Sequence, residues 1–72
     1  MHHHIRANYQ NAFKAKFARQ YRESNFGWRQ RINFAIADIN VTLKLHPHDS
    51  DYAERLYIEL DEARAAYSLA VR

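Results

Sequence analysis

A single glycine, Gly27, and a single proline, Pro47, punctuate a chain of 72 residues. Turns and β-hairpins draw their backbone chemistry largely from these two residue types, so a many-stranded fold would lack the turns it needs. Long helices remain, and an all-α fold is the expectation. Proline cannot continue a helix and pushes the residue before it out of the helical region, so one helix ends near Leu45, just before His46-Pro47. The next starts directly, with Asp49 or Asp51 as N-cap and Asp51 and Glu54 at capping-box spacing.

Periodicity places that last helix at about 50–71, where Tyr52, Ala53, Leu56, Leu60, Ala63, Tyr67 and Ala70 form one stripe roughly 100° wide. Over about 26–45, Trp28, Ile32, Ala35, Ile36, Ile39, Leu43 and His46 form a matching stripe, and the short connection makes the two an antiparallel helical hairpin. The middle helix also carries a second apolar line, Phe34, Val41 and Leu45, nearly opposite its seam. The last helix has a smaller off-seam patch, Ile58, Ala65 and Leu69. These lines call for cover, either from the N-terminal helix as third member of a bundle or from a second subunit. Asp38 lies between the two lines of the middle helix. If buried it needs a partner, Arg31 or a residue of another chain, and such a group can fix register. Phe34, Asp38, Val41 and Leu45 are therefore the expected oligomer interface.

The N-terminal helix, about 6–23, steps Tyr9, Phe13, Phe17 and Tyr21 along one side as a drifting aromatic ridge. Ser24 or Asn25 caps the next helix and Gly27 eases the bend, so a break between the two is expected. The whole is one small domain, 1–72, with residues 1–5 set aside as a disordered terminus or, at His2-His3-His4, a tag remnant. Only sixteen residues are Leu, Ile, Val or Phe. With no cysteine available for disulfides, a chain this small leans on oligomerisation or a partner for stability. The longest apolar run, Phe34 to Ala37, stops at Asp38, far short of the roughly 18 residues a membrane span needs. No secretory leader is legible, and a cytoplasmic protein is expected.

Charge is divided unevenly. Arg6, Lys14, Lys16, Arg19, Arg22, Arg29 and Arg31 face Glu23 alone in the first half, whereas seven acids outnumber four bases in the second. Lys14, Lys16, Arg19 and Arg22 interleave with Phe13, Phe17 and Tyr21, which admits two readings. The rings face the bundle while the basic heads stay in water, or the cations neutralise phosphates while rings stack on bases. His46, His48 and Asp49 are metal-ligand types, yet four ligands do not converge from one turn, and no metal or cofactor is expected. Ser50 lacks any Gly-rich oxyanion cradle. Glu54, Glu59, Asp61 and Glu62 all lie off the seam and read as solvent face, so no catalytic residue is assigned and no enzyme is expected.

The function expected is that of a non-enzymatic small helical protein, a homodimer that docks on a protein partner and modulates or inhibits it. Adaptors and inhibitors of bacterial or phage origin supply the class analogy. The partner-binding set is Phe13, Phe17, Arg19, Tyr21, Arg22, Phe26, Trp28, Arg29 and Arg31, because aromatics and arginine dominate interface energetics. The alternative is a nucleic-acid binder using Lys14, Lys16, Arg19 and Arg22, with no role for a membrane.

Overall fold

The computed structural model describes residues 3–46 and 48–72, and they form three helices: α1 (His3–Phe17), α2 (Asn25–Leu45) and α3 (Ser50–Ala70). Among the described residues there is no strand, and no helix is long and apolar enough to cross a membrane. α1 begins at His3 and stops at Phe17 where about 6–23 was expected. It takes in residues 3–5, and only Met1 and His2 of the segment set aside lie outside the described residues. Pro47 lies outside them too.

Each start has a chemical cause. Ser24, in extended backbone, accepts a hydrogen bond from the Gly27 N–H at 3.0 Å and so satisfies one of the four free donors of α2. Asp49 does the same for α3, accepting from the Tyr52 N–H at 3.0 Å, and of the two candidate caps it is the one used. Ser68 and Thr42 sit inside helices with their hydroxyls donated back to the carbonyls four residues earlier, which leaves the helices uninterrupted.

The hairpin forms as its two stripes dictate. Ile32 and Ile39 of α2 meet Leu56, Leu60, Ala63 and Ala70 of α3 in a buried cluster, with Trp28, Ala35, Ile36, Leu43, Tyr52 and Tyr67 packed around it. The hairpin tip is closed by His46 against Tyr52, rings 5.1 Å apart, and Arg55 lies over that tyrosine ring at 4.9 Å.

The third helix is the surprise. α1 packs along α3 and meets α2 at its C-terminal end, where Phe17 joins the core beside Ile32 and Trp28, so α3 is the wall shared by both other helices. The described residues form a small three-helix bundle measuring 37 × 27 × 17 Å. α1 therefore does not cover Phe34, Val41 and Leu45, which stay 72%, 55% and 71% exposed. What it covers is the other side of α3. Ile58 is buried there, and so is Glu59, against the expectation of a solvent-facing carboxylate; Ala65 and Leu69 of the same off-seam patch remain exposed.

Candidate functional site

The segment that joins α1 to α2 is built from side chains that tie helix ends together. α1 ends without a glycine, so its last carbonyls need other donors. α2 supplies them. The Trp28 indole N–H donates to the Phe17 carbonyl at 2.8 Å, and the Arg31 guanidinium donates to the carbonyls of Lys16 and Ala18 at 2.9 and 2.8 Å. A cation at a helix C-terminus also complements the helix dipole. Arg29 repeats the device at the far end of α3, donating to the Ala70 carbonyl at 3.0 Å.

Between these anchors the chain makes a tight turn, Gln20 to Glu23, closed by the Glu23 N–H on the Gln20 carbonyl at 3.0 Å. The Glu23 carboxylate accepts the Gln20 N–H at 2.9 Å and is gripped by Arg31 at 2.8 and 2.9 Å. That grip, aided by the Gln20 N–H, pulls the Glu23 pKa down from the ordinary value to about 2, and it raises that of Arg31. Tyr21 and Arg22 are the two central residues of the turn. Both are exposed, Tyr21 to 88%, and Arg22 lies over the Tyr21 ring at 5.3 Å. Arg22 has φ 64, the left-handed region that favours glycine or asparagine at this turn position.

The expected partner-binding residues thus divide into two groups. Phe17 is a core residue, 1% exposed, and cannot be a surface anchor. Phe13 packs against that core and stacks on Tyr9 with ring centroids 6.0 Å apart. Trp28, Arg29 and Arg31 hold helix ends, the work just described. Arg19, Tyr21, Arg22 and Phe26 remain on the surface, the last 64% exposed. Arg19 donates to the Asn25 side chain at 3.4 Å. In the nucleic-acid set the Lys16 ammonium is bonded to the buried Glu59 carboxylate, although its side chain is 55% exposed. Lys14, Arg19 and Arg22 are exposed as well. No family model, curated protein or solved structure matches the chain.

Two further places were open to chemistry. A cleft of about 240 Å³, walled by Phe17, Trp28, Ala65, Ala66 and Leu69 with Lys14 and Glu62 beside them, is smaller than the roughly 300 Å³ at which ligand pockets begin. The connection lined by Leu45, His46, His48, Asp49, Ser50 and Asp51 is a wide, shallow groove. Among the described residues no three His, Asp or Glu side chains are grouped so as to hold a metal ion. Ser50 there begins α3, and Asp49 is engaged as its cap. Asp38 is exposed and Arg31 is turned to Glu23, so the intrachain Asp38–Arg31 pair does not form. The one signal in the sequence for the roles of Arg29 and Arg31 was the lack of any glycine at the end of α1 or α3.

Proposed function

We propose that this chain is a non-enzymatic binding module that docks on a protein partner, and modulates it, through the corner where α1 hands over to α2. The observation that carries this reading is the turn itself. Tyr21, a large ring 88% exposed, sits between the exposed Arg19 and Arg22, and Arg22 occupies a left-handed backbone position where glycine costs nothing. Strain of this kind, about 1–3 kcal/mol, persists where the surroundings over-determine it and marks candidate functional residues. Here Glu23, Gln20 and Arg31 hold the turn closed and offer the ring outward. Tyrosine and arginine are the residues that anchor interfaces, the ring filling a pocket and the cations steering an acidic rim toward it. The partner is therefore an acidic protein surface with an apolar recess.

A nucleic acid is the other occupant this chemistry admits. Four exposed cations, one of them already paired with Glu59, are few for it, since each phosphate neutralised contributes about 0.9 to the salt slope and affinity rests on several. The test is binding to proteins captured from lysate, and to a short single-stranded oligonucleotide, at low and high salt, with the intact chain and with Tyr21→Ala and Arg22→Glu. A protein complex that survives high salt and is lost in Tyr21→Ala supports the reading. An oligonucleotide complex that dissolves in salt and is lost in Arg22→Glu replaces it with nucleic-acid binding.

A further inference from the structure

All three helices contribute to one hollow. The cleft of about 240 Å³ is bounded by Phe17 at the end of α1, Trp28 of α2 and Ala65, Ala66 and Leu69 of α3, and its lining is almost wholly hydrocarbon. It stays open because alanines stand where larger side chains would fill it, and it opens to solvent past the exposed Ala65 and Leu69. The polar atoms along it are already engaged. The Trp28 indole N–H is donated to the Phe17 carbonyl, and the Ala18 carbonyl accepts from Arg31. Among the described residues no buried side-chain nitrogen or oxygen lacks a partner. The interior therefore offers a guest no hydrogen bond, and whatever enters it must be apolar.

The edge is different. Lys14 comes to it from α1 and Glu62 from α3. Among the described residues neither side chain has a hydrogen bond or an ion pair, whereas Lys16 is bonded to Glu59 and Arg31 to Glu23. A guest carrying only an anion would meet Glu62 as a like charge, and one carrying only a cation would meet Lys14. A guest with one charge of each sign satisfies both.

We propose that this cleft binds a free apolar α-amino acid, its side chain against Trp28, its carboxylate on Lys14 and its ammonium on Glu62. Size agrees with this class. An apolar cavity of about 150 Å³ is enough to hold benzene, so this larger one takes a phenyl ring with its methylene. Phenylalanine carries no polar atom on its ring and presents it to the indole as an aromatic pair. With about a dozen non-hydrogen atoms, at ordinary ligand efficiency, it binds with a dissociation constant on the order of 1 mM. The site goes beyond the docking corner and does not depend on it, so Tyr21→Ala should leave it unchanged.

Trp28 is the only tryptophan of the chain, so its fluorescence, excited where phenylalanine does not absorb, reports on this cleft. Titration of the intact chain with L-phenylalanine should give a saturable change. 3-Phenylpropionate and 2-phenylethylamine, which each lack one charge, should bind several-fold more weakly, and glycine, which lacks the ring, should give no change. Lys14→Gln and Glu62→Gln should each weaken phenylalanine about threefold, the upper range for exposed charges. Ala65→Leu fills the cleft from an exposed position and should abolish binding with helical circular dichroism unchanged. No saturable change at tenfold above the expected midpoint overturns the proposal. So does either singly charged analogue binding as tightly as phenylalanine, or binding undiminished in Ala65→Leu.

Discussion

Arg31 holds Glu23 by two hydrogen bonds, Nε to Oε2 at 2.8 Å and Nη2 to Oε1 at 2.9 Å, while its other donor capacity goes to the last carbonyls of α1. One guanidinium thereby fixes where α1 ends, the shape of the turn and the start of α2. Substitution by alanine removes bonds to two carbonyls and a carboxylate, and by the usual worth of such bonds it should cost about 1–3 kcal/mol. Arg31→Lys keeps the charge but not the planar fork, and should recover less than half of that loss in chemical denaturation.

The same pair makes stability depend on acid. Glu23 titrates at about 2 in the folded chain against an ordinary value of 4.5, so its ionised form stabilises the fold fully above pH 4.5. That contribution is lost as pH falls through the window from 4.5 to about 2. The difference in melting temperature between the intact chain and Glu23→Gln should be largest at neutral pH, shrink through the window and vanish only below it. A difference that does not change with pH would refute the assignment.

Lys16 and Glu59 test how α1 is held to α3. Glu59 is 8% exposed, so removing its cation in Lys16→Met leaves a buried carboxylate uncompensated, and the loss should exceed the roughly 0–1 kcal/mol of a surface pair. Lys16→Met with Glu59→Leu should recover most of the loss or surpass the starting stability. Double-mutant denaturation measures the coupling.

Burial separates the two lines of α2. Ile32 is 0% exposed, and Ile32→Ala should cost about 2–5 kcal/mol. Phe34→Ala, at a side chain 72% exposed, should stay within roughly 0.5 kcal/mol when measured at concentrations where the chain is monomeric.

Arg22→Gly should separate stability from binding. Glycine relieves the left-handed backbone at φ 64 and should raise the melting temperature by an amount equivalent to about 1 kcal/mol. It also removes the cation that lies over Tyr21, so partner binding at the corner should weaken in the same variant.

The hairpin was legible because its cause is periodic. Ile32 and Ile39 on one helix and Leu56, Leu60 and Ala63 on the other recur at the spacing that puts them on one face, and all are buried. The caps were legible too, since Ser24 and Asp49 act through their own side chains on backbone three residues away. The neighbour chosen by α1 was not. A polar Glu59 sits in the contacting face of α3 and disguises it as solvent surface, and its cation lies 43 residues away in the chain. The corner was half legible. Tyr21 and Arg22 stood out as residue types, but Trp28, Arg29 and Arg31 bond to main-chain carbonyls, and a carbonyl acceptor leaves no mark in a sequence.

Because α3 is the shared wall, the three helices are unequal in how they come apart. α2 and α3 are consecutive and joined by a four-residue connection, whereas α1 reaches α3 only across the full length of α2. Amides of α1 should therefore exchange with deuterium through a partial opening that leaves the hairpin intact, ahead of those around Ile39 and Leu60. In that opened form Ile58 and Glu59 face water, and α1 closes again on this flank of α3 only by bringing Lys16 back to the Glu59 carboxylate.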